Sequence, residues 1–116
     1  MTAGYAAITL ATAVITAGIA VADLVPAGFV LANSAEVGVS RSWLPALAAL
    51  KLAGAVGLVA GLAGLHALGI AAAAGLVLFF VGAVVTHVRA RVFHNIAFPG
   101  AYLGMSVATL ALTLAH

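Results

Sequence analysis

The sequence predicts an all-α integral membrane protein, a four-helix bundle with a short interfacial helix between its first two spans. Three observations lead there. Of its 116 residues, 66% are apolar and only 5% charged, and the mean hydropathy is +1.35, whereas a soluble domain carries roughly 25% charged residues. A chain this short leaves much of its surface exposed when folded, so the surrounding solvent has to be lipid. The apolar residues also come in continuous runs long enough to span a bilayer, which takes about 20 residues as a helix. Finally, these runs are rich in Ala, Leu, Val and Gly and lack the two-residue alternation of barrel strands, leaving helices as the way to satisfy the backbone in hydrocarbon.

Four spans are laid out over the single domain 1–116. The first, 3–22, stops before Asp23 and Pro26. No basic residue precedes it and three more spans follow, so it is expected to be a retained helix rather than a cleaved leader. The second, 43–64, has Ser42 as its expected N-cap and Pro45 in its first turn, where a missing amide costs little. The third covers 66–88, and the fourth 95–115, with Pro99 in its opening turn. Segment 27–40 is too short and too polar to span, containing Asn33, Ser34 and Glu36. Phe29, Val30 and Val37 give it one apolar side, so it is expected to lie at the interface or dip back into the bundle.

With four crossings, the first and third connections share one membrane face. Asp23, Asn33, Glu36, Arg41, Trp43, His87, Arg89, Arg91, His94 and Asn95 fall there, leaving His66, His116 and the N-terminus on the other. Arg41, Arg89 and Arg91 then place that face in the cytoplasm by the positive-inside rule, with both termini outside. The net charge of +2 does not make a nucleic-acid surface. Absence of cysteine excludes disulfides, thiol relays and thiolate metal ligands.

Helices in lipid approach closely through small residues. Gly54, Gly57, Gly61 and Gly64 line the second span at steps of three and four. Gly75 and Gly82 lie a heptad apart on the third, and Gly100 and Gly104 form a GxxxG on the fourth. Such seams serve packing within one bundle or between copies. A homo-oligomer is expected because a bundle this small has little interior for a pocket.

Chemistry is carried by few residues. Lys51 sits about two turns, or roughly 10 Å, inside the second span; an ionisable group there is either a functional group or a lysine snorkelling to the charged face. Its available acidic partners are Asp23 and Glu36. In the run Thr86 to Asn95, a helix continued through the segment would set His87 and Arg91 on one face, with Arg89 elsewhere. His87 is a candidate proton donor or acceptor and Arg89 or Arg91 a stabiliser of negative charge; alternatively the arginines bind lipid headgroups and set topology. Lys51, His87 and Arg89 are thus the candidate catalytic residues, and Asp23, Glu36, Arg91 and Asn95 the candidate ligand contacts. Within the helices there is no pair at di-metal spacing, and no metal site is expected; haem on a single axial His66 or His87 is a secondary reading. Neither carboxylate falls inside a span, which argues against a proton-coupled exchanger.

WLPALAALKLAGAVGL at Trp43–Leu58, GLVLFFVGAVVTHVRAR at Gly75–Arg91 and NIAFPGAYL at Asn95–Leu103 resemble the DoxX-like family of small four-helix bacterial membrane proteins, from about Phe29 onward. The THVRA segment and the Asn that follows it are the most specific part. That resemblance implies a multi-pass protein of a bacterial cytoplasmic membrane, in a family named for a subunit associated with thiosulfate:quinone oxidoreductase activity and linked to membrane redox defence. Lys51, His87, Arg89 and Asn95 are the positions that carry over. The expected function is binding a lipophilic small molecule such as a quinone and supporting membrane redox chemistry, with a redox partner protein supplying the centre this chain lacks. Two alternatives stand beside it: a membrane isomerase or cyclase acting on an apolar oxygenated substrate, and a non-catalytic subunit that recruits a partner enzyme.

Overall fold

The computed structural model describes residues 2–116. Its helices are α1 (Ala3–Leu24), α2 (Gly28–Glu36), α3 (Leu44–Leu62), α4 (His66–Arg89) and α5 (Ala97–Leu114), with a single 3₁₀ turn, Arg41–Trp43, leading into α3. All but α2 are long and apolar enough to cross a membrane. The molecule is 41 Å along its longest axis, against about 30 Å of hydrocarbon, so both ends of the bundle reach the headgroups.

α1 packs on α3, α3 on α4, α4 on α5, and α5 closes the ring on α1. Successive spans are therefore antiparallel neighbours, and His116 stacks on Tyr5 while Thr2 hydrogen-bonds His116 at 3.3 Å, which joins the two termini at one end. The interior is narrow. Ala13, Ala55, Leu58, Ala73, Leu76 and Phe80 form its apolar centre, half of them alanines, which let helices approach closely in lipid.

The α3 glycine seam faces α4 within the chain. A Cβ on Gly61 would lie 2.6 Å from the Gly69 Cα, and one on Gly57 would lie 2.6 Å from the Ala72 Cβ. Gly75, Gly82, Gly100 and Gly104 meet nothing within 4 Å and lie open on the outside of the bundle.

α2 is the short helix expected between the first spans. Val30 and Ser34 face inward while Phe29 is exposed. It ends at Gly38 (φ 77°), and α3 ends likewise at Gly64 (φ 114°), each glycine taking the left-handed conformation a side chain disfavours.

Three details differ from the sequence reading. Asp23 lies inside α1, in its last turn, and is buried; the helix runs on because Asp23 continues the buried face of Thr9, Thr12, Thr16 and Ala20 and meets a cation there. A carboxylate within a span removes the argument made above against proton coupling. Ser42 does not cap α3, which lacks a side-chain cap; its hydroxyl lies 3.0 Å from that of Ser40. His87 and Arg91 do not share a helical face, because α4 ends at Arg89 and Arg91 turns left-handed at φ 57°.

Candidate functional site

Polar side chains from α1, α2, α3, α4 and the α4–α5 connection gather at the end opposite the termini. They fall into a closed pair and an open network.

The pair is Lys51 and Asp23. α1 buries residues at three- and four-residue steps, ending on Asp23, and α3 does the same through Ala48, Lys51, Ala55 and Leu58. These faces meet, and the Lys51 Nζ donates to Asp23 Oδ2 at 2.6 Å. Lys51 is 7% and Asp23 5% exposed. The lysine begins two turns down α3 and leans toward the charged end, as helical side chains do, but it stops at the carboxylate rather than reaching water. The Phe79 ring lies 5.3 Å from the ammonium, within cation–π range. Together the charges cancel, which lets both sit in a low-dielectric interior; either alone would be stranded.

The network centres on Asn33. His87, on the inner side of α4 and 5% exposed, places Nε2 3.1 Å from Asn33 Oδ1 and Nδ1 2.8 Å from the Ala83 carbonyl of its own helix. Asn95 Nδ2 donates to the same Asn33 oxygen at 2.8 Å. These bonds tie α2 to the end of α4 and to the α4–α5 connection. Asn95 Oδ1 is buried with no hydrogen-bond partner, a costly arrangement for a polar atom.

The remaining expected residues stand at the rim. Glu36 and His94 contact at 2.6 Å, both well exposed, as a second, solvated link between α2 and the α4–α5 connection. Arg89 is exposed beside a shallow hollow of about 350 Å³ lined also by Val37, Gly38, Val39, Thr86 and Ala90. Arg91 is exposed on its turn. Thus Lys51 and Asp23 come together, and so do His87 and Asn95, whereas the arginines join neither group.

Both nitrogens of His87 are engaged, so the ring offers no free one to a haem iron, and His66 is exposed at the far end of α4. Among the described residues no three His, Cys, Asp or Glu side chains are grouped to hold a metal.

The organising residue, Asn33, was visible to sequence reasoning only as a polar residue on the charged face. A hydroxyl seam between α1 and α5 was missed as well. Thr9, Thr12 and Thr16 of α1 and Ser106, Thr109 and Thr113 of α5 are all buried, the Thr12 and Thr109 hydroxyls meet at 3.0 Å, and Thr9 Oγ1 has no hydrogen-bond partner. Their spacing of three and four on each helix was the available signal.

The sequence pattern of the DoxX-like family matches residues 7–109. The chain belongs to the DoxX-like family. This match takes in α1 and with it Asp23, beyond the stretch where the resemblance was first drawn. No curated protein and no solved structure matches the chain. The DoxX-like region thus contains both polar groups whole, from Asp23 to Asn95.

Proposed function

We propose that this DoxX-like protein binds a lipophilic small molecule with an oxygenated head, of the quinone kind, at the polar end of the bundle, and so supports membrane redox chemistry. The observation that carries the reading is the buried, unpaired Asn95 Oδ1, at the end of a hydrogen-bonded chain that starts on a histidine. A buried acceptor without a partner is the mark of a place where a donor, a ligand hydroxyl or water, completes the bonding, and the hydroxyl of a reduced, quinol head is such a donor. Phe93 and Phe98, either side of Asn95 in sequence, are exposed and offer apolar surface for the rest of such a molecule. With no cysteine or other redox group in the chain, electrons pass between the bound molecule and a partner protein. Membrane lipid surrounds the bundle, and a second copy is proposed against the open glycines of α5. The membrane is proposed to be the bacterial cytoplasmic one.

The test is thermal unfolding of the purified protein in mild detergent with a short-chain quinone and, separately, with its quinol kept reduced. At about a hundredfold excess over Kd the ligand stabilises by about 2.7 kcal/mol, and Asn95→Leu removes the rise while leaving the Lys51–Asp23 pair untouched. An unchanged melting temperature at saturating quinone and at saturating quinol sinks the reading. Turnover of an apolar epoxide by protein alone would instead bring the isomerase or cyclase forward.

A further inference from the structure

Both ring nitrogens of His87 face oxygen atoms that can only accept. Nδ1 lies 2.8 Å from the Ala83 carbonyl oxygen and Nε2 3.1 Å from Asn33 Oδ1. A neutral imidazole has one N–H and one bare nitrogen, whereas an imidazolium has two donors. With the amides as they stand, only the doubly protonated ring satisfies both contacts. In that arrangement Asn33 Oδ1 accepts from His87 and from Asn95 Nδ2, and Asn95 Oδ1 is the buried acceptor left without a partner.

The two ends of a carboxamide have nearly the same shape, so the same atom positions admit a second arrangement. When His87 is neutral with its proton on Nδ1, bonded to Ala83, its bare Nε2 needs a donor. Asn33 supplies one by turning end for end, which sets its NH₂ against the NH₂ of Asn95. Asn95 must then turn too. The two hydrogens of Asn33 Nδ2 now serve His87 Nε2 and Asn95 Oδ1, and Asn95 presents its NH₂ where its orphan oxygen stood.

We propose that His87, Asn33 and Asn95 form a proton-linked relay whose outer end is a hydrogen-bond acceptor when His87 carries two ring protons and a donor when it carries one. The passage between states adds one proton from water to His87 Nε2 and rotates two amides; no electron moves. The proposal rests on the ligand reading above and specifies it. A hydroxyl-headed molecule, such as a quinol, is held by the acceptor state and its binding takes up a proton. A carbonyl-headed one, such as a quinone, is held by the donor state and its binding releases one.

The ionisable groups on the elements around His87 have other partners or none. Asp23 of α1 binds Lys51 of α3, and Glu36 of α2 binds His94 of the connection. Arg89 on α4 itself and Arg91 beyond it make no hydrogen bond to the ring, nor does Tyr102 of α5, which lies against Phe80. None of them takes part in the hydrogen bonds that the change rearranges.

The test is nitrogen-15 NMR of ligand-free protein in detergent, labelled at His and Asn. His87 is expected doubly protonated at low pH and neutral with the proton on Nδ1 at high pH, with the Asn33 and Asn95 amide signals moving at the same midpoint. His87→Phe should leave those amide signals independent of pH. A neutral ring protonated on Nε2, amide signals that do not follow the ring, or a ring that keeps one state while the protein stays folded would each overturn the relay. A second arm measures Kd for a short-chain quinone and for its quinol, kept reduced. Lower pH should favour the quinol over the quinone by up to about tenfold per pH unit, the limit for one linked proton. A pH-independent ratio overturns the coupling to the ligand. Binding of neither probe removes the ligand half of the proposal and the reading beneath it, while the NMR result stands on its own.

Discussion

Lys51–Asp23, both buried, and His87–Asn33–Asn95, of which only the histidine is fully buried, lie at the same end of the bundle and solve the problem of polarity in lipid in opposite ways. The first is two unit charges in one contact of 2.6 Å, roofed by Phe79, with each group serving the other. The second carries no obligatory charge and spreads its bonds over three elements, yet leaves one oxygen unpaired. The difference teaches where binding can occur. A closed pair has nothing to offer a ligand without breaking itself, so it fixes α1 to α3. An open network gains from a ligand, because the ligand supplies what the protein lacks.

The largest effect should come from breaking the closed pair. Asp23→Ala or Lys51→Met alone strands a charge in the interior and is expected to cost about 3–5 kcal/mol, read as a fall in the unfolding midpoint in detergent. Asp23→Leu with Lys51→Met should recover most of it, because replacing both members of a buried pair by apolar groups is close to neutral. If the single variants are as stable as the double, the pair is hydrated and the contrast with the network disappears. Next comes the α3–α4 seam, which carries both clusters. Gly61→Ala drives a methyl into the Gly69 backbone and is expected to cost about 1–3 kcal/mol as overpacking. Gly104→Ala, with open space around it, should not destabilise the monomer, and a loss confined to a dimer would place the second copy on α5.

Smaller again is Asn33→Leu. It removes the partner of both His87 Nε2 and Asn95 Nδ2 and should cost about 1–3 kcal/mol for buried groups left unsatisfied. Asn95→Leu removes an unpaired acceptor together with one bond, so its cost should be less. Equal costs for the two would mean that Asn95 Oδ1 is already paired in the membrane, and the network would be as closed as the lysine pair.

Much of this was legible in the sequence because hydropathy and the absence of alternation force helices in lipid. Span number, the short helix at α2 and the common face of Asp23, Glu36, His87 and Asn95 follow from run length and parity alone. Pairing was harder. Lys51 had two acids within reach by sequence, and the choice of Asp23 depended on α1 running two residues past Ala22, its expected end. Asn33 was unreadable as the hub because a polar residue in a short connecting helix has no fixed direction until α2 packs. Arg91 would share the His87 face only if the helix continued past its expected end at residue 88, and it does not: the position that takes glycine after α2 and α3 is here an arginine.

That arginine gives the smallest effect and the sharpest probe of how the open network is held. Val92 N–H bonds to the His87 carbonyl at 2.9 Å and Arg91 N–H to that of Val88 at 3.1 Å, the closing pattern of a helix whose next residue is left-handed. The turn therefore grips the backbone of His87 itself and sends the chain back toward Asn95. A residue with a Cβ pays roughly 1–2 kcal/mol in that conformation, partly offset in glycine by its greater freedom when unfolded. Arg91→Gly should then raise stability by up to about 1 kcal/mol, with the His87 and Asn95 NMR signals unmoved. A loss of stability instead would mean that the guanidinium, exposed though it is, anchors the turn, and the network would owe its geometry to a charge at the headgroups rather than to the backbone of α4.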